Sequence, residues 1–241
     1  MPRERLDQLL VARGLTDSRE KARALILAGQ VLVNGQKIDK AGHAVDDSSR
    51  IELLGQPRYV GRGGLKLEAA LDHFHIDPKG KVCLDVGAST GGFTDCLLQR
   101  GAARVYAIDA GTAQLDWKLR TDPRVISKEQ LNARFLSASD VPEPIELAVM
   151  DVSFISATMI LPALPSLLTK NAEMVILVKP QFELERQQVG KGGIIREPAL
   201  HQQACRRVDD AVRALGFETA IIPCPILGAE GNQEFLLYAR R

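Results

Sequence analysis

Asp85-Val86-Gly87-Ala88-Ser89-Thr90-Gly91-Gly92-Phe93-Thr94 is the most informative stretch of this 241-residue chain. A short apolar run, Val82–Leu84, precedes it, and a helix-like segment, Thr94–Leu98, follows its glycines. The order strand, glycine-rich turn and helix is typical of a loop that wraps a small ligand carrying phosphate, ribose or carboxylate groups. Glycine is needed in such a loop because a Cβ atom would hold the ligand away from the backbone N–H groups.

The spacing of the glycines narrows the class of ligand. A dinucleotide-binding loop would read G-x-G-x-x-G and a phosphate loop would end in Gly-Lys-Ser/Thr, and neither pattern is present. The pattern acidic-x-Gly-x-x-x-Gly instead resembles the S-adenosylmethionine loop of class I methyltransferases. A tight strand-to-helix turn without a ligand is the alternative. The resemblance implies cofactor contacts from Asp85, Gly87, Ala88, Ser89, Thr90, Gly91, Gly92 and Phe93.

The composition is that of an ordinary soluble globular protein, with 45% hydrophobic and 25% charged residues. The length suits one large domain, or a main domain and a small one. A formal net charge of +1 gives no overall affinity for polyanions, but the charge is unevenly distributed along the chain. Residues 1–62 contain eleven Lys or Arg against eight Asp or Glu, a local balance of +3. A solvated helix face explains this excess as well as nucleic acid does.

Cysteine spacing and hydropathy indicate a reducing location. The four cysteines show no C-x-x-C pairing or zinc spacing, so we expect no metal. The first residues lack the apolar core of a signal peptide, and no apolar run approaches the roughly 18 residues of a membrane span. We therefore expect a cytoplasmic protein with no membrane contact and no obligate protein partner.

The first part of the chain resembles the S4 RNA-binding domain, over roughly residues 3–54. Its pattern predicts a helix over 3–13 and a second helix that begins at Asp17, in a capping-box-like arrangement with Glu20. Asn34-Gly35 between two apolar runs predicts a hairpin with a type I′ turn, and a further strand is predicted from residue 51. The resemblance rests on this order of elements.

S4 domains present basic and polar groups to RNA from the second helix and the turn after it. Arg and Lys contact phosphates and so position the RNA. Arg19 and Arg23 lie four residues apart and share one helix face. For each candidate, a solvent-exposed charge is the alternative. The matching residues are Arg3, Arg5, Arg13, Ser18, Arg19, Lys21, Arg23, Gln30, Asn34 and Lys37.

Pro and Gly break the periodicity between residues 56 and 64, which predicts a linker. The predicted domains are therefore an RNA-binding domain over 1–56, a linker over 57–63 and a catalytic domain over 64–241. Arg58 and Arg62 are further RNA candidates within this stretch. A merely flexible join is the alternative.

From residue 65 onward, short apolar runs alternate with helix-length segments. This alternation predicts an α/β fold with a mostly parallel sheet covered on both faces. Two closing strands near 218–223 and 234–239 suit the antiparallel last strand of the Rossmann-like, seven-stranded class I methyltransferase fold. The other predicted strands lie at 82–86, 104–108, 124–127, 146–151 and 174–179. The predicted helices lie at 65–74, 93–100, 113–119, 156–169 and 198–215.

Polar residues end several of these strands, where α/β sheets bind their ligands. Asp109 ends the second strand, and an acidic group there accepts hydrogen bonds from both ribose hydroxyls of a nucleoside cofactor. Asn132 follows the third strand, where this fold usually contacts adenine. Asp151 and Lys179 end two further strands that should be adjacent, so their side chains can meet beside the cofactor.

Lys66, Asp151, Lys179 and Glu234 reproduce the Lys-Asp-Lys-Glu order of FtsJ-like ribose 2′-O-methyltransferases. With the S4 module in front, nearly the full chain resembles the TlyA, or hemolysin A, family of ribosomal RNA methyltransferases. The motifs that carry this resemblance are Arg62–Leu67, Asp151–Ile155, Val178–Glu183 and Gly231–Phe235. It implies S-adenosylmethionine as methyl donor and cytidine ribose on ribosomal subunits as acceptor.

The four residue types suit this chemistry. A ribose hydroxyl must lose its proton as it attacks the methyl group, and a lysine can take that proton only as a neutral amine. Desolvation and a second cation nearby both favour the neutral amine. We therefore predict Lys179 as the base, beside Lys66, with Asp151 and Glu234 holding the two ammonium groups.

Three other functions remain open from the sequence. A base methyltransferase that attacks cytosine C5 would need a nucleophilic cysteine near the strand ends, and Cys224 lies near the last hairpin instead. A hemolysin or cytolysin would need an amphipathic or hydrophobic lytic segment, and none is evident. A non-catalytic RNA-binding assembly factor would not need the Lys-Asp-Lys-Glu set.

Overall fold

The computed structural model describes residues 3–55, 58–190, 192–228 and 231–241. The chain divides into two compact units, Met1–Arg58 and Tyr59–Arg241. No helix in the described ranges is long and apolar enough to cross a membrane. The predicted boundary between residues 56 and 57 lies outside the described residues, and the predicted domain limits remain a prediction.

The first unit packs two short helices on small antiparallel sheets. Strand β1 pairs with β4, and β2 pairs with both β3 and β5. Leucine, isoleucine, valine and alanine side chains from both helices and the strands form its core. The elements are β1 Arg3–Arg5, α1 Leu6–Ala12, α2 Arg19–Leu27, β2 Val31–Val33, β3 Gln36–Lys37, β4 Ala44–Asp46 and β5 Ile51–Leu53.

Two predicted helix starts in this unit are wrong. Residues 3–5 form a strand because they pair with β4, so the first helix begins at Leu6. The second helix is capped by Ser18, whose hydroxyl accepts a hydrogen bond from the Lys21 amide at 3.2 Å. The Asn-Gly hairpin is confirmed: Asn34 and Gly35 have φ values of 50° and 79°, and a type I′ turn requires both to be positive.

The second unit is built on a seven-stranded sheet of order β11-β12-β10-β9-β6-β7-β8. Strand β12 is antiparallel to β10 and β11, and the other pairs are parallel. The predicted class I methyltransferase architecture is confirmed. The strands are β6 Val82–Val86, β7 Arg104–Ile108, β8 Val125–Lys128, β9 Ile145–Met150, β10 Leu168–Val178, β11 Glu218–Pro223 and β12 Phe235–Arg240. The helices are α3 Gly63–Phe74, α4 Gly92–Gln99, α5 Trp117–Arg120, α6 Pro180–Glu183 and α7 Pro198–Ala214.

Both faces of this sheet are buried. Successive residues of β7 alternate between the faces, as the pleat of a strand requires. Tyr106 and Ile108 pack in one apolar cluster, whereas Val105 and Ala107 pack in the other. The near-continuous apolar sequence of the central strands follows from this double coverage.

The predicted helix over 156–169 is wrong. The segment forms two short 3-10 turns at Ala157–Met159 and Leu161–Ala163, and β10 already begins at Leu168. Pro162 and Pro165 lie inside the segment, and a proline ring removes an amide donor and clashes with the preceding turn of an α-helix. The predicted helix over 113–119 begins too early. The observed helix α5 spans only Trp117–Arg120, and Asp116 caps its N-terminus.

The glycine-rich loop between β6 and α4 packs tightly against its neighbours. Gly87 has a φ of 85°, and a Cβ atom there would lie 2.5 Å from the Asp151 carbonyl oxygen. Gly91 has a φ of 97°, and its Cβ would lie 2.2 Å from a Leu119 methyl group. Both positions need glycine for backbone conformation and for space.

Replacing Gly87 by alanine should therefore lower the stability of the fold by more than backbone strain alone would. Gly216 is a matched control because its φ is 86° and nothing lies within 4 Å of a built Cβ. Both substitutions carry about 1–2 kcal/mol of left-handed strain, and Gly87→Ala adds about 1–3 kcal/mol of overpacking against a carbonyl. Urea denaturation of the two variants measures the difference, and equal losses would contradict the packing argument.

Candidate active site

Three adjoining cavities open at the carboxyl ends of the parallel strands. Their volumes are about 500, 180 and 590 Å³, and we number them first, second and third. Ser89, Asp151 and Ser153 line all three cavities. The cavities therefore form one connected site, in which a ligand in the first lies next to a ligand in the third.

The first cavity contains Asp109 and Asn132, the two residues predicted to contact a nucleoside. Asp109 Oδ2 accepts a hydrogen bond from the Ser89 amide at 2.7 Å, and its Oδ1 accepts one from the Gly111 amide at 2.6 Å. This carboxylate is therefore held in place by backbone donors on two loops. Asn132 Oδ1 accepts from the Arg134 amide at 3.1 Å, which leaves its NH₂ group for a ligand.

The predicted cofactor residues divide between the cavities. Asp109, Asn132 and Asp151 line the first cavity. Gly87 and Ser89 line the first and the second. Ala88, Thr90, Gly92 and Phe93 line the second. Asp85 and Gly91 line none of the three.

Asp85 stabilises the glycine-rich loop from the buried interior of the protein. Its carboxyl is fully buried and accepts a hydrogen bond from the Thr94 hydroxyl at 2.6 Å. Burial raises the pKa of Asp85 to about 7, because its charged form is poorly solvated there. Asp85 thus ties the end of β6 to α4.

The four predicted catalytic side chains meet in two ion pairs that line the third cavity. Lys66 Nζ pairs with Glu234 Oε2. Lys179 Nζ lies 2.6 Å from Asp151 Oδ1. Each ammonium thus has its own carboxylate, which offsets the cost of removing both charges from water.

Strand register explains why these residues meet. Asp151 and Lys179 directly follow the parallel neighbours β9 and β10. Glu234 directly precedes β12, in which Phe235 lies opposite Val178 of β10, so Glu234 lies at the same edge as Lys179. Lys66 projects from the first turn of α3.

Several residues at this site were missed from sequence. The Ser153 hydroxyl accepts a hydrogen bond from Lys179 Nζ at 2.8 Å. Phe154 is 92% exposed at a φ of 65°, and its ring lies 5.3 Å from that of Phe182. Gln181 also lines the third cavity. They lie within the motifs Asp151–Ile155 and Val178–Glu183, which was the signal that could have identified them.

Two predicted RNA-binding arginines of the first unit converge on one carboxylate. Asp7 is fully buried, and its oxygens lie 3.0 Å from Arg5 Nε and 3.1 Å from Arg19 Nη2. Both arginine side chains remain about half exposed. The hydrogen bond from Arg5 is the main cause that lowers the pKa of Asp7 to about 2. Asp7, which sequence reasoning missed, therefore holds two cations side by side at the surface.

The other predicted RNA residues are more dispersed. Arg13 donates to the Ser49 carbonyl at 2.8 Å, and Lys21 pairs with Asp17 at 2.6 Å. Asn34 Oδ1 accepts from the Arg50 amide at 2.9 Å. Ser18 and Gln30 are half-buried. Arg13, Lys21 and Asn34 are exposed, as are Arg3, Arg23, Lys37 and Arg58.

Residues 59–62, predicted as part of the linker, pack within the second unit. Tyr59 is 3% exposed and joins the apolar core of that unit. The Val60 amide donates to Asp95 Oδ2 at 2.9 Å. Arg62, a predicted RNA residue, lines the second and third cavities beside Lys179.

Together these features define a methyltransferase. The fold is class I, and the glycine-rich loop, an acidic strand end and two paired lysines surround one connected site. The family model described as FtsJ-like methyltransferase matches residues 59–241, and the S4 domain model matches residues 4–51. The chain belongs to the FtsJ-like methyltransferase family, in the TlyA or hemolysin A group that carries an S4 domain.

Relatives match over nearly their full length. The chain is 43% identical to "16S/23S rRNA (cytidine-2'-O)-methyltransferase TlyA" of Mycobacterium tuberculosis, over 99% of this chain and 90% of that protein. It is 45% identical to "Hemolysin A" of Brachyspira hyodysenteriae, over 97% and 98%. A solved structure from Streptococcus thermophilus, provisionally described as a hemolysin, is 45% identical with a TM-score of 0.77 and covers 100% of this chain and 89% of that one.

The Asp7 cluster makes the stability of the first unit depend on pH. A carboxyl whose pKa is lowered on folding stabilises the fold above its unfolded pKa, which is close to 4, and this contribution is lost as pH falls toward 2. Asp7→Asn should therefore destabilise α1 and α2 at pH 7, with a penalty that shrinks between pH 4 and pH 2.5.

Urea-dependent hydrogen exchange of the α1 and α2 amides in the full chain measures this penalty at each pH. Asp17→Asn is the control, because Asp17 forms an ion pair with Lys21 whose two side chains are largely exposed, and such pairs contribute little. A penalty for Asp7→Asn that does not change with pH would show that the carboxylate charge is not its cause.

Proposed function

We propose that this chain transfers the methyl group of S-adenosylmethionine to the ribose 2′-hydroxyl of a cytidine in ribosomal RNA, with Lys179 as general base. The observation that carries the proposal is the arrangement of Lys66–Glu234 and Lys179–Asp151 around the third cavity, next to the first. Ribosomal RNA as the substrate would place the reaction in the cytoplasm.

The first and second cavities suit the cofactor. Asp109 has oxygen lone pairs left for the ribose hydroxyls, and Asn132 has a free amide NH₂ for the base. Gly87 and Ser89 of the glycine loop line both of these cavities, so a ligand there lies against the loop. The bound cofactor would supply an electrophilic methyl group on a positively charged sulfur.

Within the third cavity, the protein's own contribution is to orient the ribose and to receive its proton. Holding the hydroxyl in line with the methyl group removes much of the entropic cost of the reaction. Lys66 and Glu234 form the more buried pair, whereas Lys179 and Asp151 also line the second cavity. Lys179 is thus the lysine that lines both the second cavity, formed by the glycine loop, and the third.

Cysteine chemistry offers no support for cytosine C5 methylation. Cys83, Cys96 and Cys224 are buried, and none of the four cysteines lines any of the three cavities. Burial raises the pKa of the Cys224 thiol, which disfavours the thiolate that such a reaction needs.

RNA as substrate is supported by the S4 domain and by the names of the relatives. The Asp7 cluster adds a physical argument, since two half-exposed arginine side chains held side by side suit a phosphate backbone. The rRNA specificity and the preference for cytidine are carried over from the relatives.

Lys179→Ala should retain binding of S-adenosylmethionine and RNA but lose methyl transfer by about 10²–10⁴-fold, because the hydroxyl proton loses its acceptor. Lys170→Ala, an exposed lysine on the same strand, is the matched control. Single-turnover assays with ribosomal RNA and mapping of 2′-O-methyl sites give the rates and the product.

Undiminished turnover in Lys179→Ala would remove this lysine from the role of base. A base-methylated product from the unmodified enzyme would contradict ribose methylation as a whole. If the unmodified enzyme transfers no methyl group although it binds both ligands, an RNA-binding role without catalysis would replace the proposal.

Arg19→Ala combined with Arg23→Ala should weaken RNA binding and flatten its salt dependence by about one unit of log–log slope per lost phosphate contact. Arg240→Ala is the control, since this exposed arginine lies at the end of β12 and pairs with Glu218. Binding titrations over a series of salt concentrations give the slope, and an unchanged slope would exclude these arginines from the interface.

A further inference from the structure

Ser153 has no role in the Lys-Asp-Lys-Glu set, yet it lies at the centre of the site. It is the third residue after β9 and is exposed to all three cavities. Only Ser89 and Asp151 share that property. A side chain in this position can contact the cofactor side and the RNA side of the site at once.

Ser153 is the hydrogen-bond partner of the proposed base. Its Oγ lies 2.8 Å from Lys179 Nζ. Asp151 Oδ1 lies closer to Nζ, at 2.6 Å, and forms the ion pair. Lys179 Nζ therefore contacts two groups, a carboxylate that supplies charge and a hydroxyl that can exchange a proton.

Lys179 and Ser153 differ in how far they are exposed. Lys179 is 9% exposed, whereas Ser153 is open to the cavities. In the described parts of the chain, the Ser153 hydroxyl donates its own hydrogen to no protein acceptor. A hydroxyl can donate one hydrogen bond while it accepts two, and its hydrogen rotates to suit its partners. Ser153 therefore has the capacity to join a ligand hydroxyl in the cavity to the lysine amine beside it.

We propose that Ser153 relays the proton of the ribose hydroxyl to Lys179, an inference that rests on the proposed function. Before the step, the Lys179 ammonium releases one proton to solvent, and the hydrogen bond with Ser153 reverses so that the serine hydroxyl donates to the neutral Nζ. As the ribose oxygen bonds to the methyl carbon, the carbon–sulfur bond breaks and its electron pair stays on sulfur. The ribose proton passes to Ser153 Oγ, while the Ser153 hydroxyl proton passes to Lys179 Nζ. The serine is regenerated and the lysine leaves the step as ammonium, beside Asp151.

A direct transfer from ribose to Lys179 is the competing route, and the two routes differ in what the serine contributes. In the relay, loss of the hydroxyl interrupts the path to a buried amine. In the direct route, Ser153 only packs against the lysine, and a small side chain can replace it. Ser153→Ala distinguishes the routes because it removes the oxygen and leaves the backbone unchanged.

The test compares single-turnover rates of Ser153→Ala and Ser153→Thr in the full chain, with Ser166→Ala as control. Ser166 is exposed and hydrogen-bonds only to the Ala163 carbonyl. The relay predicts a loss of about tenfold or more for Ser153→Ala, with affinities for S-adenosylmethionine and RNA within about twofold of the unmodified enzyme. Ser153→Thr, which keeps the hydroxyl, should recover most of the rate.

A proton inventory in mixtures of H₂O and D₂O adds an independent measurement. Two protons in motion predict a curved inventory for the unmodified enzyme. Residual transfer in Ser153→Ala should give a linear one.

Three results would overturn the relay. The first is a rate for Ser153→Ala within twofold of the unmodified enzyme. The second is a loss explained by weaker cofactor or RNA binding. The third is a linear inventory for the unmodified enzyme. Failure of the proposed function would look different, since the unmodified enzyme itself would then give no 2′-O-methyl product.

Discussion

The site depends on the pairing of two ammonium groups with two carboxylates at one edge of the sheet. An unpaired lysine in this position would lose its hydration without compensation and would destabilise the fold. Paired, Lys66 and Lys179 can be held within a largely closed site at the carboxyl ends of buried strands. The parallel strands β9 and β10 and the antiparallel strand β12 determine where each partner lies.

Because the ion pairs lie at one edge of the sheet, the three cavities differ in the charge of the side chains that line them. Asp151 lies between a region lined mainly by uncharged side chains, with Asp109 and Arg134 among them, and a region that holds both ion pairs. In the proposed function, this difference suits a methyl donor in the first region and a hydroxyl that needs a proton acceptor in the second. The short distance between Gly87 and the Asp151 carbonyl keeps the two regions in contact.

Much of the fold and of the candidate site could be predicted from sequence, because both depend on residue identity and on the order of the elements. The four charged residues, the loop and the strand alternation follow from local patterns. The Lys179–Asp151 pair follows as well, because their strands are predicted to be neighbours. The Lys66–Glu234 pair does not, since the register of β10 and β12 decides it. Asp7 was missed because a buried carboxylate between two arginines 14 residues apart leaves no local pattern. The segment 156–169 was misread because its apolar spacing outweighed Pro162 and Pro165.

The position of β12 has a consequence for how an active enzyme matures. This strand inserts between β10 and β11, and Glu234 reaches Lys66 only when it is in place. A nascent chain that has reached α7 already has the glycine loop, Asp151 and both lysines, but one ammonium group still lacks its carboxylate. Completion of the four-residue cluster is thus delayed to the last strand of the sheet in chain order. In the proposed function, a partly synthesised chain should therefore show no methyl transfer.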